Sequence, residues 1–243
     1  MSTRIFAHRG ASADFPENTM AAFREAIRQG AEGIELDVHM TRDGRVVVMH
    51  DETLRRTTGE EGRIIDHTYD QLRRFNAKYH FDNVEFEPIP LLEEVLELVA
   101  DTRLELNIEL KNTFIQYEGI EETVARLVRN YAMEGRVVIS SFNHYSLVAM
   151  HRVAPELKTA ILYTAALVDP WEYAKRIGSH GLHPHFLSVR PFIVEGAHKA
   201  GIAVRPYTVD HPDEMRRLIQ CGCDAIITNK PALLKRVREE LAG

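Results

Sequence analysis

Cysteine is nearly missing from this 243-residue chain, which has only Cys221 and Cys223, together in Cys-Gly-Cys. With no second pair they form neither a disulfide framework nor a four-ligand zinc site, so free or buried thiols are expected. No apolar run approaches the ~18 residues of a membrane-spanning helix. Blocks of Lys and Arg are missing too: 30 Lys+Arg against 36 Asp+Glu give a formal charge of −6. That balance argues against nucleic-acid partners and stable docking on anionic membranes. The opening residues, Met1 to Gly10, lack the charged-then-apolar layout of a signal peptide, and a cytoplasmic location is expected. No Gly-x-Gly-x-x-Gly follows the first apolar run, which disfavours dinucleotide binding. Gly-x-Ser-x-Gly is absent and neither cysteine adjoins a candidate histidine, so acyl transfer fits poorly. Internal repeats and low-complexity tracts do not occur, and nothing specifies an oligomeric state.

What is present is an ordinary globular composition, 44% hydrophobic and 27% charged, with room for one large core. Short runs rich in Val and Ile alternate with segments of helical period. The runs predict strands over Ile5–His8, Gly33–His39, Val46–His50, Leu104–Lys111, Arg136–Ser141, Lys158–Tyr163, Phe186–Val189, Ile202–Tyr207 and Ala225–Thr228. Between them the period predicts helices over Thr19–Gln29, Leu91–Ala100, Ile120–Met133, Tyr145–Val153, Pro170–Arg176, Pro191–Lys199, Pro212–Gln220 and Pro231–Leu241. Four of these begin with proline, which the first helical turn tolerates. Repeated strand–helix units at this length indicate an α/β protein, a (β/α)8 TIM barrel of one domain over residues 1–243. The polar stretch from Asp51 to about Pro90 breaks the rhythm and is expected to be a small inserted subdomain or long loop, after the second strand region.

In Gly33-Ile34-Glu35-Leu36-Asp37-Val38-His39, alternation places Glu35, Asp37 and His39 on one strand face and Ile34, Leu36 and Val38 on the other. Turned into a barrel, the two carboxylates repel unless a cation neutralises them, and hard oxygen ligands suit Mg2+ or Ca2+. An outer, solvated face is the competing reading. In Asn107-Ile108-Glu109-Leu110-Lys111 the same alternation aligns Asn107, Glu109 and Lys111, a carboxylate and an ammonium able to serve a metal and a phosphate side by side, or simply to pair with each other. Of the 12 histidines, His8 and His50 end predicted strands, where barrel enzymes carry their functional groups. The others read as surface or satisfied polar residues, apart from His39, which shares the face of Asp37. Arg9 offers a planar fork for phosphate oxygens. Pro16-Glu17-Asn18-Thr19 reads as a helix entry capped by Asn18 or Thr19. Three carboxylates, two cations and two strand-end histidines fit metal-assisted phosphoryl chemistry.

These residues, His8-Arg9-Gly10, Pro16-Glu17-Asn18-Thr19, Glu35-Leu36-Asp37-Val38, Thr41-Arg42-Asp43-Gly44, Val47-Val48-Met49-His50-Asp51, Arg56-Thr57-Thr58-Gly59 and Asn107-Ile108-Glu109-Leu110-Lys111, resemble the glycerophosphodiester phosphodiesterase family. Ser141-Phe142, Gly201-Ile202 to Val209 and Asp224 to Asn229 with Pro231 look like its later strands. The resemblance implies a metal-dependent barrel that hydrolyses glycerophosphodiesters to glycerol 3-phosphate and an alcohol. It carries metal ligation to Glu35, Asp37 and Glu109, acid–base catalysis to His8 and His50, and phosphate binding to Arg9 and Lys111. One divalent cation, Mg2+ or Ca2+, is the implied cofactor. Attack by the glycerol 2-hydroxyl through a cyclic phosphate, or by water directly, are the two routes it leaves open. The chain departs from the pattern twice. Tyr207-Thr208-Val209-Asp210 stands where tryptophan before Thr-Val-Asn is common, so Tyr207 becomes the candidate for stacking on substrate. Asn229-Lys230-Pro231 replaces a frequent Asp-aromatic-Pro, outside the metal set. Two other readings use the same chemistry or fold: a phosphodiesterase for lysophospholipids or sphingolipids that docks through aromatics of the 51–90 segment, and a non-catalytic barrel that binds phosphate metabolites.

Overall fold

The computed structural model describes residues 2–243. It contains strands β1 (Arg4–His8), β2 (Gly33–Met40), β3 (Val46–Val48), β4 (Glu105–Leu110), β5 (Val137–Ser141), β6 (Lys158–Tyr163), β7 (Gly181–Pro184), β8 (Ala203–Val204) and β9 (Ala225–Thr228). The sheet runs β8-β7-β6-β5-β4-β2-β1-β9, with β3 off this path. All neighbours along the path are parallel. Asp224 N donates to Val204 O at 2.9 Å and Ile227 N to Pro206 O at 2.9 Å, bridging β9 to β8 and bringing the eight strands round into a TIM barrel.

The helices are α1 (Met20–Arg28), α2 (Arg55–Thr58), α3 (Tyr69–Leu72), α4 (Leu92–Ala100), α5 (Ile120–Asn130), α6 (His144–Val153), α7 (Pro170–Arg176), α8 (Pro191–Lys199), α9 (Pro212–Gln220) and α10 (Pro231–Ala242). Each long helix turns an apolar stripe onto the barrel. In α5, Ile120, Val124, Leu127 and Val128 are buried at helical spacing, and each such side chain contributes about 1.5–3 kcal/mol when fully removed from water. The main core therefore lies between strands and helices, where Ile34, Leu36 and Val38 of β2 meet Leu106, Ile108 and Leu110 of β4. The opposite face of the same strands points into the barrel. Gly33 sits there because a Cβ would collide with the Phe6 ring. Among the described residues no helix is long and apolar enough to cross a membrane.

Two strand expectations need correction. The seventh barrel strand is Gly181–Pro184, whereas Phe186–Ser188 forms a 3-10 turn. Its inward residues are a glycine and a buried histidine, His183, so it lacks the apolar run that marks its neighbours. The Val46–His50 run is antiparallel to β2 and ends at Val48. It is an arm leading into the 51–90 segment, with Val46 and Val48 facing the main core. Val47 and Met49 face a satellite cluster with Leu54, Ile64, Leu72, Ala77, Ile89 and Leu91. Cys221 and Cys223 are free thiols, Cys223 buried.

Candidate active site

Register brings the polar faces of three strands together at the carboxyl end of the barrel. On adjacent strands, His8 pairs with Glu35 and Asp37 with Glu109. One carboxylate oxygen from each of Glu35, Asp37 and Glu109 can be chosen so that all lie within 4.8 Å of one another, and all three side chains are buried. Lys111, just past β4, sets Nζ 2.8 Å from Glu109 and 3.7 Å from Asp37. Arg9 places Nε 3.2 Å from Asp37 Oδ2 and Nη1 3.0 Å from Glu17 Oε1. Its backbone N–H donates to Glu35 Oε2 at 3.1 Å.

Burial opposes ionisation throughout this cluster, and the cations decide which carboxyl escapes. At Asp37 the neighbouring Arg9 and Lys111 outweigh burial and hold the carboxyl well below the usual range. Glu35 is pushed well above it by burial, then by the negative charges of Asp37 and Glu109. Burial and Asp37 likewise raise Glu109. With all three ionised, the carboxylates would outnumber the two cations in a low-dielectric pocket, which is why Glu35 and Glu109 resist ionisation without a further cation. Asp37 Oδ1 is buried and accepts no hydrogen bond from the described residues. Hard oxygens, excess negative charge and an orphaned lone pair are a donor set that fits a divalent cation such as Mg2+ or Ca2+.

The two histidines stand on opposite supports. His8 Nδ1 lies 2.7 Å from the amide oxygen of Asn229, and its Nε2 is 3.9 Å from Glu35 Oε2. Burial, then Arg9, lowers the imidazole to about 4. His50 lies two residues beyond β3, with its side chain 32% exposed and Nδ1 2.6 Å from Asp51 Oδ1. Asp51 also accepts from Arg56 Nε at 2.7 Å, and Arg56 Nη2 donates to Glu17 Oε1 at 2.6 Å. A chain of polar contacts thus connects His50 to Arg9 through Asp51, Arg56 and Glu17.

His39 is not exposed to this pocket. Fully buried, it donates from Nε2 to the backbone carbonyl of His50 at 3.0 Å and accepts at Nδ1 from the Tyr117 hydroxyl at 2.8 Å. It anchors the turn that carries His50. Tyr207 packs beside Phe6, Ala225 and Ile227; its hydroxyl donates to Tyr163 O at 3.2 Å, and its ring meets Phe142 edge-on at 6.0 Å.

Sequence reasoning missed several of these partners. Thr19 caps α1, but Asn18 turns away, in a left-handed conformation, and donates to Asp37 Oδ2 at 2.9 Å. The capping pattern concealed that role. Glu17, Tyr117 and Asn229 reach the site from three separate loops, Asp51 from the turn after β3 and Arg56 from α2; all but Tyr117 lie in the motif stretches, which gave none of them a role.

A sequence model of the glycerophosphoryl diester phosphodiesterase family matches residues 8–233. A glycerophosphodiester phosphodiesterase of Caldanaerobacter subterraneus subsp. tengcongensis is 46% identical over 235 residues, 96% of this chain and 97% of that protein. One from Bacillus altitudinis is 42% identical over 98% of this chain and 99% of its own. Among solved structures, an Oleispira antarctica phosphodiesterase in complex with the product sn-glycerol-3-phosphate superposes with a TM-score of 0.87 at 28% identity, covering 98% of this chain and 97% of that one. The glycerophosphodiester phosphodiesterase of Agrobacterium tumefaciens gives 0.85 at 30% identity over 96% and 99%.

Proposed function

This chain belongs to the glycerophosphoryl diester phosphodiesterase family, and from that premise we propose that it cleaves small glycerophosphodiesters, such as glycerophosphocholine or glycerophosphoethanolamine, to glycerol 3-phosphate and an alcohol. The observation that carries this reading is the meeting of Glu35, Asp37 and Glu109 within 4.8 Å, with Arg9 and Lys111 interleaved among them. Glu35, Asp37 and Glu109 would hold a divalent cation, whose charge would keep all three ionised and favour a diester phosphate monoanion beside them. When bound, the cation supplies charge stabilisation worth several kcal/mol in the transition state.

The remaining work falls to the chain's own groups. Arg9 and Lys111 hold the phosphate oxygens from two sides. His8, backed by a neutral amide and kept unprotonated by burial, takes the proton of the attacking hydroxyl at Nε2. His50, oriented by the Asp51 carboxylate 2.6 Å from its Nδ1, gives a proton to the leaving alkoxide. One P–O bond forms and one breaks, and the proton taken at one imidazole is balanced by the proton given at the other. The same pair serves attack by water or by the glycerol 2-hydroxyl; in the latter case the roles reverse as water opens the cyclic phosphate. Tyr207, half-buried beside Phe6 and edge-on to Phe142, is the residue assigned to stacking on the glycerol or head group.

The test is glycerol 3-phosphate release from both diesters, with EDTA and with Mg2+ or Ca2+ restored. EDTA-sensitive release is expected; release that persists in EDTA overturns the cation requirement, and no release from either diester overturns the substrate class. A lipid diester is the second reading, favoured by the exposed Tyr79 and Phe86 of the 51–90 segment. Choline release from lysophosphatidylcholine at the rate seen with glycerophosphocholine is the result that would carry it.

A further inference from the structure

We propose that Asn229, locked by Asp210, is a positioning residue that fixes the tautomer of His8 and so aims the Nε2 lone pair into the carboxylate pocket. The inference rests on the reading of His8 given above. Asp210 Oδ2 accepts from the Asn229 side-chain amide at 2.6 Å, while its Oδ1 accepts from the Asn229 backbone N–H at 2.9 Å and from the Thr228 hydroxyl at 3.0 Å. With its NH2 group committed, the Asn229 amide can present only its oxygen to the other side. That oxygen lies 2.7 Å from His8 Nδ1 and 2.7 Å from Ser12 Oγ. A carbonyl oxygen accepts and never donates, so Nδ1 carries the proton and Nε2 of the neutral ring is left with a lone pair.

The lock has something to overcome. Nε2 faces Glu35 Oε2 at 3.9 Å, and an acceptor oxygen there favours the opposite tautomer, with the proton on Nε2 directed at Glu35. In that form His8 has no lone pair to offer an attacking hydroxyl. Asn229 removes the alternative by making it place two lone pairs against each other at Nδ1.

The experiment uses the full chain with histidine 15N-labelled, read by NMR near neutral pH, with the His8 signals assigned by their loss in His8→Gln. The wild type is expected to show a protonated Nδ1 and an unprotonated Nε2. Asn229→Leu and Asp210→Asn are expected to shift His8 towards Nε2 protonation and to lower kcat by ~10–100-fold, the usual cost of losing an outer orienting partner, with KM little changed. The double variant Asp210→Asn/Asn229→Asp, which restores an amide–carboxylate pair, is expected to recover both the tautomer and kcat. An unchanged His8 tautomer in Asn229→Leu overturns the proposal, as does a reversed tautomer with kcat intact. His8→Gln turning over at the wild-type rate would instead refute the role of His8, independently of the tautomer measurement.

Discussion

The buried imidazole of His39 makes acid stability a direct test of the packing around His50. Burial pushes His39 down to about 4, whereas a histidine in the unfolded chain titrates near 6.5. Between those values the unfolded chain binds a proton that the folded chain refuses, so stability falls as pH drops from about 6.5 towards 4. Linkage puts the loss from this one residue at about 2 kcal/mol between pH 7 and pH 5. Glutamine at position 39 removes the titration and disturbs the bonds to Tyr117 and the His50 carbonyl, a cost of about 1 kcal/mol. His39→Gln should therefore be less stable than wild type by about 1 kcal/mol at pH 7 and more stable by a similar amount at pH 5. Urea unfolding of both proteins in EDTA at the two pH values measures the crossing. Curves that run parallel from pH 7 to pH 5 would show that His39 takes up its proton as readily in the folded protein as in the unfolded chain, and the burial argument would be wrong.

Four further outcomes are expected. His50→Ala should lose ~10²–10⁴-fold in kcat, the range of a general acid; steady-state turnover at the wild-type level removes it from the mechanism. Glu109→Gln should cost at least ~10²-fold in kcat and weaken Mg2+ or Ca2+ binding in titration calorimetry, and unchanged calorimetric affinity would exclude Glu109 as a ligand. Asp51→Asn should lower kcat by ~10–100-fold with KM nearly constant, and a rise in KM alone would mean that Asp51 serves binding instead. Gly33→Ala drives a methyl group into the Phe6 ring and should destabilise the barrel by ~1–3 kcal/mol; an unchanged melting temperature would contradict that packing.

How much was legible in the sequence follows from how local each signal is. The alternation in Glu35-Leu36-Asp37 and in Asn107-Ile108-Glu109 is a property of single strands, and it predicts both the outer core and the inward polar face. The seventh strand was obscured because His183 occupies an inward position in place of an aliphatic residue, and the apolar Phe186–Val189 run nearby offered a better match to a strand. His50 looked like the end of a barrel strand because Val46 to Val48 have the composition of one; only pairing partners distinguish an antiparallel arm. Asn229 stands outside the metal set in the sequence, and its separation of 221 residues from His8 leaves no trace of their contact in local pattern. Tyr117 was equally silent, being joined to His39 only by tertiary contact.

The satellite cluster beneath the 51–90 segment divides the site into two parts with separate cohesion. Glu35, Asp37, Glu109 and His8 ride on barrel strands buried in the main core, whereas His50 rides on a turn held by β3, the satellite residues, the His39 contact and the exposed Arg56 bonds to Asp51 and Glu17. Local opening of the satellite, at a free energy below that of global unfolding, would withdraw the proton donor and leave the carboxylate cluster assembled. Such an opened form would still capture cation and diester without cleaving them. Turnover would then be set in part by the fraction of time the arm is closed, a quantity that amide exchange at Met49, Leu54 and Ile64 would report separately from exchange in the barrel strands.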